Sequence, residues 1–376
     1  MRGHIRKRGS TYSIVVDIGI DPATGKRKQK WFSGYKSQDE AEQAMAKVIT
    51  QVYEGTLLLP SDMILKDYLE MWIDKKKKKL SPTSLSGYLT IINKHLVPSL
   101  GYIKLKDIKP YIIDDYYDTK LETLSGTTVL HHHRMLNKAM VDAVKKYRLL
   151  ATNPIDGVEA PKATKYKASV LNTEEVQLLF KALEGDKLEV SIKVMLFLGL
   201  RRGELLGLKW EDVDYNNKTI TIQRNLIRGG DTGVELYLKN PKTEDSVRTI
   251  VLSENIIELL KRHQEEQKEL ISKQESIYKD EGFIFCNDDG SNIDPSNFSH
   301  RFGAFIKKYK LKHIRLHDLR HTNATMMLLS NVPAKVASER LGHSNVSITL
   351  DLYSHVIDEM KQEATNKIDD ILFNTK

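Results

Sequence analysis

His317-Asp318-Leu319-Arg320-His321 is followed by Leu341-Gly342-His343 and then by Tyr353-Ser354-His355, and this stretch gathers cations and a phenol in one segment. The tyrosine stands ten positions after His343. An enzyme that attacks a phosphodiester with a side chain needs this combination, because charge builds up on the non-bridging oxygens while an oxygen nucleophile enters. The stretch therefore predicts strand transfer on nucleic acid.

The composition indicates a folded, multidomain protein with a polyanionic partner. The chain has 376 residues, a length typical of two or three domains. Its 58 lysines and arginines exceed its 50 acidic residues and give a formal charge of +8, which favours nucleic acid as a partner. A hydrophobic fraction of 40% is enough to build cores. The single cysteine, Cys286, excludes an internal disulfide framework and a thiolate metal cluster, and we predict a buried strand position for it.

The first residues indicate where the protein works. The basic start Met1-Arg2-Gly3-His4-Ile5-Arg6-Lys7-Arg8 continues without an apolar signal region. No uninterrupted apolar run approaches the ~20 residues of a membrane span. We expect a soluble, cytoplasmic protein.

Residues 1–58 have the pattern of a small basic module. Tyr12, Ile14 and Val16 alternate as in a short strand, residues 21–25 supply turn chemistry, and Ser37 opens an amphipathic helix. Cations crowd beside aromatic residues, which favours DNA contact over a merely solvated surface. The candidate DNA-contacting residues here are Arg6, Lys7, Arg8, Lys26, Arg27, Lys28 and Lys30.

Residues 62–160 are predicted to be mainly helical. Leu65, Tyr68, Leu69 and Trp72 form one apolar stripe, residues 98–101 end a later helix, and a long helix covers 127–149. The five lysines Lys75, Lys76, Lys77, Lys78 and Lys79 lie at a junction between two helices, where phosphate contact and plain solvation are both open. Residues 160–167 are a proline- and lysine-bearing linker.

The run His131-His132-His133 suggests a metal site at first sight. Successive helical residues point ~100° apart, so three adjacent histidines cannot converge on one ion. With Arg134 and Lys138 following, the run is better explained as a polar or DNA-facing helix surface. The DNA-contact candidates in this helix are His132, Arg134 and Lys138.

Residues 168–376 are predicted to form a chiefly helical domain with one small antiparallel sheet. Its three strands are expected at 219–223, 234–238 and 248–252. Helices occupy most of the rest, including an apolar one at 192–198. The fold class is therefore multidomain α+β.

Four motifs in this order resemble those of the tyrosine recombinase family, in particular phage and integrative-element integrases. Gly199-Leu200-Arg201-Arg202-Gly203-Glu204-Leu205 resembles the first arginine box, and Pro241-Lys242-Thr243-Glu244-Asp245-Ser246-Val247-Arg248 resembles the lysine hairpin. The histidine, arginine and tyrosine segments quoted first complete the set. The resemblance implies a catalytic set of Arg201 (not Arg202), Lys242, His317, Arg320, His343 and the nucleophile Tyr353. It also implies that 1–58 is an arm-site-binding domain with a three-stranded sheet and a helix, 62–160 a helical core-site-binding domain, and 168–376 the catalytic domain with a C-terminal tail helix.

The expected chemistry needs neither a metal ion nor ATP or another cofactor. Arg201 and Arg320 suit a phosphate because guanidinium binds oxygen pairs in a fork. Tyr353 would attack, His317 would accept its proton, and Lys242 would protonate the leaving 5′-oxygen, giving a 3′-phosphotyrosine that a second 5′-hydroxyl can reverse. The expected partners are double-stranded DNA with core and arm attachment sites, three further copies in a homotetramer on DNA, and accessory DNA-bending and directionality proteins.

The same motifs are compatible with more than one function and with two ways of packing the last helix. The expected function is integration and excision of a mobile element, with chromosome-dimer resolution of the Xer type, a type IB topoisomerase and a non-catalytic DNA-binding regulator as alternatives. Glu204 and Asp318 are expected to orient the arginines, and Arg248 to pair with a carboxylate. The apolar stripe of the last helix, at Ile357, Met360, Ala364, Ile368 and Ile371 or Leu372, is expected to pack either on the chain's own core or on a neighbouring protomer.

Overall fold

The computed structural model describes residues 3–20, 27–54, 62–164, 169–239, 247–274 and 277–342, and single positions beyond them. Contacts divide the chain into two compact units. The first unit comprises Met1–Lys75 and Ile91–Thr164, and the second comprises Lys76–Thr90 and Lys165–Lys376. This division differs from the three predicted domains, because residues 76–90 of the predicted 62–160 domain group with the second unit. The three-domain boundaries stay a prediction. No helix in the described part of the chain is long and apolar enough to cross a membrane.

The N-terminal module is a three-stranded antiparallel sheet with one helix. The strands β1 (Gly3–Arg8), β2 (Thr11–Ile20) and β3 (Arg27–Tyr35) lie in the order β1-β2-β3. Helix α1 (Gln38–Tyr53) begins where the Ser37 hydroxyl accepts a hydrogen bond from the Glu40 amide. Ile14, Val16 and Ala41 form the core between sheet and helix, so the predicted sheet and helix are confirmed. The predicted turn at 21–25 lies outside the described residues.

The helical region contains α2 (Leu65–Lys76), α3 (Pro82–Ile91), α4 (Val97–Leu100), α5 (Pro110–Leu121) and α6 (Gly126–Lys145). Lys77–Lys79 form a 3₁₀ turn between α2 and α3, as the junction prediction requires. A π turn at Ile92–Leu96 joins α3 to α4, so the chain stays helical through Pro98 and ends at Gly101. Pro98 lies in the first turn of α4, directly after the π turn.

Helix α6 is shorter than predicted. It ends at Lys145 and not at residue 149, because the Tyr147 amide turns back to the Asp142 carbonyl and Arg148 adopts a left-handed φ of 51°. An apolar pattern that continues past a helix end can belong to the loop that packs beneath it. Leu150, in that loop, is buried.

The second unit contains seven helices and five strands among its described residues from 169 on. The helices are α7 (Thr173–Leu183), α8 (Glu189–Leu198), α9 (Arg202–Leu206), α10 (Glu254–Lys273), α11 (Pro295–Lys308), α12 (Asp318–Leu329) and α13 (Ala334–Leu341). The strands are β4 (Val213–Asp214), β5 (Thr219–Ile222), β6 (Asn225–Gly229), β7 (Glu235–Lys239) and β8 (Arg248–Val251). The mainly helical fold with small sheets matches the predicted class.

The strands do not form the single sheet that we predicted. β5 lies between β4 and β8, whereas β7 pairs with β6 in a separate two-stranded sheet. The prediction is wrong because it missed β6, which gives β7 a nearer partner. The connecting loop contains Gly230 and Gly233 with φ of 86° and 75°, which close the hairpin without strain.

The core of the second unit holds the motif residues in place. Helix α8 is buried almost all round and ends at Gly199, whose φ is 64°. A Cβ atom at Gly199 would lie 2.5 Å from Leu341 Cδ2 and 2.7 Å from Asn323 Oδ1, so only glycine lets α12 and α13 approach this corner. The end of α8, the start of α9, helix α12 and the end of α13 therefore meet at one point.

Cys286 lies away from that point. It is partly buried and forms an isolated bridge with Asn292, so the prediction of a buried strand residue is only partly right. Its thiol lies 3.2 Å from the Tyr278 hydroxyl, and burial raises its pKa. A thiol held in its neutral form is a poor nucleophile.

Candidate active site

Arg201 opens helix α9, and two hydrogen bonds to described residues hold its guanidinium. Its Nη1 donates to Glu204 Oε1 at 2.7 Å and its Nη2 donates to the Gly342 carbonyl at 3.0 Å. The side chain is nevertheless 43% exposed, so the guanidinium keeps an open edge. The neighbouring Arg202 points elsewhere, because its Nη1 donates to Ser299 Oγ at 2.6 Å. Arg201, and not Arg202, therefore lies with the other motif residues.

Glu204 is the acidic centre of this cluster. Besides Arg201 it contacts Arg248 Nη2 at 2.8 Å and Arg320 Nη1 at 4.0 Å, with only 10% of its side chain exposed. Burial alone raises the pKa of a carboxyl group, but the hydrogen bond and charge of Arg248 and then the contacts with Arg201 outweigh it and lower the pKa to about 2. The carboxylate is therefore ionised and stabilises three closely spaced cations.

Arg320 lies deeper than Arg201. It is on the first turn of α12, 2% exposed, and its Nη1 donates to the Gly199 carbonyl at 2.7 Å. Its Nη2 donates to the Leu341 carbonyl at 2.6 Å. Sequence patterns predicted a phosphate-binding residue here, but they could not predict that it would be buried against two carbonyl groups.

All three arginines donate hydrogen bonds to the C-terminal end of α13. The sequence did not predict these contacts. The consecutive carbonyl groups of residues 340, 341 and 342 accept hydrogen bonds from Arg248 Nε (2.9 Å), Arg320 Nη2 and Arg201 Nη2 respectively. A helix C-terminus carries partial negative charge, so cations are stabilised there. Gly342 ends the helix with φ of 69°, and a glycine after a helical pattern was the one sequence signal for this cap.

His317 lies immediately before α12 with an exposed surface. Its ring contacts the His321 ring edge-on, with centroids 4.8 Å apart. Desolvation of the ring, followed by the charges of His321, Arg320 and Arg201, lowers the pKa of His317 to about 4. The imidazole is therefore neutral at pH 7 and able to accept a proton. His321 itself is buried, with 8% of the residue exposed.

Arg248 and Asp318 illustrate the two expected supporting roles. Arg248 pairs with the Glu204 carboxylate, which confirms that prediction. Asp318 is fully buried and accepts a hydrogen bond from the Arg315 amide at 2.8 Å, with the Arg315 guanidinium 3.5 Å away. These contacts fix the turn before α12, while an orienting role of Asp318 toward Arg201 or Arg320 stays a prediction.

Three predicted catalytic residues lie outside the described residues: Lys242, His343 and Tyr353. Lys242 belongs to residues 240–246, between the end of β7 at Lys239 and the start of β8 at Arg248. His343 directly follows Gly342 in the sequence, so the chain leads from the arginine cluster into the segment that carries Tyr353. The apolar stripe predicted after Tyr353 also falls outside the described residues, apart from single positions.

The candidate DNA-contacting residues of the N-terminal module divide between the two faces of the sheet. Arg6 and Arg8 place their guanidinium carbons 5.2 and 5.0 Å from the exposed Trp31 ring, on the face opposite α1. Lys7 lies 5.6 Å from the Tyr12 ring, whose side packs on α1. The exposed side chains of β3 include three further candidates, Arg27, Lys28 and Lys30. Lys26 lies outside the described residues.

Four lysines of the run are exposed, namely Lys75, Lys77, Lys78 and Lys79, whereas Lys76 is partly buried. Lys75 Nζ lies 4.9 Å from the centre of the Tyr147 ring. The run thus offers a cationic surface at the turn between α2 and α3, which suits phosphate contact without requiring it.

His132 is not a surface residue, and its predicted DNA contact is wrong. It is 1% exposed, its Nδ1 lies 3.0 Å from the Tyr116 hydroxyl, and its ring centroid lies 4.7 Å from that of His95. Desolvation and then the charge of His95 lower its pKa to about 4. The residue faces the core because it lies three positions before Met135 and three after Val129 on the buried stripe of α6. Arg134 and Lys138 are exposed, as a DNA-facing surface requires.

Comparison with known proteins gives three family matches along the chain. The model of the phage integrase family matches residues 169–360, just over half of the chain. An arm DNA-binding domain model matches 4–52, and a model described as the N-terminal SAM-like domain of phage integrases matches 64–121.

Curated relatives and solved structures agree with these matches. A "Tyrosine recombinase XerC-like" protein of Caldanaerobacter subterraneus subsp. tengcongensis is 28% identical, over 98% of this chain and 98% of its own. The ICEBs1 integrase of Bacillus subtilis is 27% identical over 96% of this chain and 97% of its own.

A structure of the Tn1549 transposon integrase in complex with transposon right end DNA shares the fold, with a TM-score of 0.66, 23% identity, and coverage of 80% of this chain and 100% of that one. These matches cover the whole arrangement of motifs described above. The chain belongs to the phage integrase family of tyrosine recombinases.

Proposed function

We propose that the protein is a site-specific DNA recombinase that integrates and excises a mobile element through a 3′-phosphotyrosine intermediate. The observation that carries this proposal is the cluster in which Glu204 and the end of α13 gather Arg201, Arg248 and Arg320 beside a neutral His317. A binding protein needs no such concentration of cations around one acid, whereas a phosphoryl-transfer enzyme does.

In the proposed cleavage step, Tyr353 is the nucleophile. Its oxygen forms a bond to the scissile phosphorus while the bond from phosphorus to the 5′-oxygen breaks. His317 accepts the phenol proton, because its lowered pKa keeps a lone pair available at pH 7. Lys242 gives a proton to the leaving oxygen, so the products are a 3′-phosphotyrosine and a free 5′-hydroxyl.

The two arginines and His343 have the task of neutralising the phosphate. Each charge-assisted hydrogen bond of this type contributes about 1.5 to 3 kcal/mol. Arg201 has the exposed edge that a phosphate needs. Arg320, with both terminal nitrogens on carbonyl groups, would stabilise the site from beneath and complete its contacts when DNA binds. The bond energy kept in the phosphotyrosine lets a second 5′-hydroxyl rejoin the strands without ATP or a metal ion.

The domain arrangement that we propose has three parts. Residues 1–58 bind arm-type DNA sites, 62–160 bind core-type sites, and 168–376 carry the chemistry. The three family matches and the basic face at Arg6, Arg8 and Trp31 support this arrangement. We further propose action as a homotetramer on double-stranded DNA in the cytoplasm of the host cell, with DNA-bending and directionality proteins as accessory partners.

Chromosome-dimer resolution remains the alternative within the same chemistry, and the XerC-like name of one relative favours it. The module at 4–52, matched by an arm DNA-binding model, and relatives named for mobile elements, such as the ICEBs1 integrase, favour integration and excision. A recombination assay separates the two: a pair of attachment sites with arm sequences should recombine, and removal of the arm sequences should abolish the reaction. Recombination that is indifferent to the arms would favour the Xer-like alternative.

A nicked suicide substrate tests the chemistry itself. The wild-type protein in EDTA should form a covalent adduct with a duplex that carries its attachment site. Tyr353→Phe should bind the duplex with unchanged affinity and give no adduct, while Tyr309→Phe, a change at another tyrosine of the same unit, should react like the wild type. Absence of any wild-type adduct would favour a non-catalytic regulator on the same fold. Equal reaction on unrelated sequences would favour a topoisomerase.

A further inference from the structure

We propose that Arg248 is a positioning residue for strand cleavage, which holds Glu204 and the end of α13 so that Arg201 and Arg320 present their charge to the scissile phosphate. The inference rests on the proposed function and concerns how its arginine cluster is assembled. Arg248 itself would not contact DNA, since only 9% of its side chain is exposed.

The contacts of Arg248 join three separate parts of the second unit. The residue begins β8, its Nη2 donates to Glu204 Oε2 at 2.8 Å, and its Nε donates to the carbonyl of Arg340 in α13 at 2.9 Å. Its Nη1 lies 3.4 Å from Glu204 Oε1. A planar guanidinium can donate to the Glu204 carboxylate and to the Arg340 carbonyl at the same time, whereas the single ammonium of a lysine cannot reach both.

Of the two acceptors that Arg248 holds, Glu204 also accepts a hydrogen bond from Arg201, and the Arg340 carbonyl directly precedes the two carbonyl groups that accept from Arg320 and Arg201. Glu204 and the Gly342 carbonyl receive Arg201, and the Leu341 carbonyl receives Arg320. A shift of Glu204 or of residues 340–342 therefore moves both arginines at once. Displacement of a catalytic group by about 1 Å costs on the order of a hundredfold in rate.

The close approach of Gly342 to Arg248 supports the same assembly. A Cβ atom at Gly342 would lie 2.9 Å from Arg248 Nη1, and the φ of 69° disfavours any other residue there. Because His343 follows Gly342 directly, the guanidinium also fixes the point from which the segment carrying Tyr353 departs.

Arg248 has a second conceivable route to the chemistry, because it follows residues 240–246, which contain Lys242. The hydrogen bonds described above lead instead to Glu204 and α13. We therefore assign its effect to charge neutralisation by the arginines and not to protonation of the leaving oxygen. The two routes predict different responses to modified DNA.

Single-turnover cleavage of three suicide substrates tests the assignment. The first is the normal phosphodiester. The second carries a 5′-bridging sulfur, which leaves as a thiolate and needs no acid. The third carries a methylphosphonate, which has one non-bridging oxygen fewer and so needs less cationic charge. Arg248→Ala should cleave normal DNA on the order of ten- to a hundredfold more slowly than wild type, with binding affinity within a few-fold.

The rescue pattern is the decisive readout. The methylphosphonate should bring Arg248→Ala close to the wild-type rate, as it should for Arg201→Ala, while the bridging sulfur should rescue only Lys242→Ala. Arg248→Lys should resemble Arg248→Ala. The matched control is Arg224→Ala, which removes another part-buried arginine that pairs with Asp212 in the same unit, and it should cleave all three substrates normally once folded.

Each contrary result has one meaning. Rescue of Arg248→Ala by the bridging sulfur would overturn the proposal, because Arg248 would then act through Lys242. Rescue by neither substrate, or wild-type cleavage by Arg248→Ala, would overturn it as well and leave a purely structural role. If wild-type protein forms no adduct with any substrate, the proposed function fails instead.

Discussion

Replacement of Glu204 by glutamine is expected to destabilise the second unit by about 3 kcal/mol at pH 7. The pKa of this carboxyl group falls from 4.5 to about 2 in the folded chain. At about 1.4 kcal/mol per pKa unit, that difference corresponds to about 3 kcal/mol of stabilisation of the charged form. Glutamine keeps the shape of the protonated acid but leaves Arg201, Arg248 and Arg320 without their shared anion, and loss of one partner of a buried ion pair costs a similar amount, about 3 to 5 kcal/mol.

The same shift predicts how the effect depends on pH. The contribution of Glu204 is fully present above the unfolded pKa of 4.5 and is lost as the pH falls toward the folded value of about 2. The difference in stability between wild type and Glu204→Gln should therefore shrink from about 3 kcal/mol at pH 7 to about 1.4 kcal/mol at pH 3. Other carboxyl groups titrate equally in both proteins and cancel in the comparison.

The three tryptophans provide a direct assay, since Trp31, Trp72 and Trp210 lie in the N-terminal module, in α2 and between α9 and β4 respectively. A protein with Trp31→Phe and Trp72→Phe reports the urea unfolding of the second unit through Trp210 alone. Glu254→Gln is the matched control, because Glu254 pairs with Lys218 on the surface and 65% of its side chain is exposed. That change should alter stability by less than about 1 kcal/mol. A loss below about 1 kcal/mol for Glu204→Gln, or a loss that stays constant from pH 7 to pH 3, would refute the reasoning.

Three further predictions concern individual side chains. In a histidine NMR titration of the free protein, the ring of His317 should titrate near pH 4. Its neutral form therefore stabilises the fold above pH 6.5, and this contribution is lost as the pH falls toward 4. A titration midpoint near 6.5 would contradict the desolvation of the ring. Gly203→Ala should lower the free energy of unfolding by about 1 to 3 kcal/mol, because the added Cβ would lie 2.0 Å from Asn225 Oδ1. Gly303→Ala adds a Cβ in open space within helix α11 and should raise the free energy of unfolding by up to about 1 kcal/mol. Equal losses of stability in urea unfolding would refute the steric argument. His132→Ala should destabilise the first unit without changing the salt dependence of DNA binding, because His132 is buried. Arg134→Ala should leave the stability of the first unit unchanged and lower the slope of log K against log salt by about 0.9. A reduced slope for His132→Ala would show that His132 contacts DNA.

Local patterns predicted the parts of the fold that local interactions determine. Ser37 accepts the Glu40 amide and starts α1 where capping chemistry places it, and Leu65, Tyr68, Leu69 and Trp72 are all fully buried as their spacing indicates. The resemblance implies that Arg201 is catalytic, and that role stays a prediction, which the open edge of its guanidinium suits.

Tertiary contacts determine what the patterns missed. Strand β6 begins with a polar residue, Asn225, whose side chain packs against Gly203, so its sequence carries little strand signal. His132 is a polar residue in the core because Tyr116, sixteen positions away, supplies its hydrogen bond. The three carbonyl groups at the end of α13 acquire their role only when α9, β8 and α12 converge on them, and no spacing in the sequence encodes that meeting.

The covalent linkage tests the central claim most directly. The adduct formed on a suicide substrate can be digested with protease and nuclease and its cross-linked peptide sequenced by mass spectrometry, while the released DNA end is tested with polynucleotide kinase. We predict one nucleotide-bearing peptide, with the phosphate on Tyr353, and a released strand whose 5′-hydroxyl accepts phosphate. A linkage at another residue, or a released 5′-phosphate, would contradict the account.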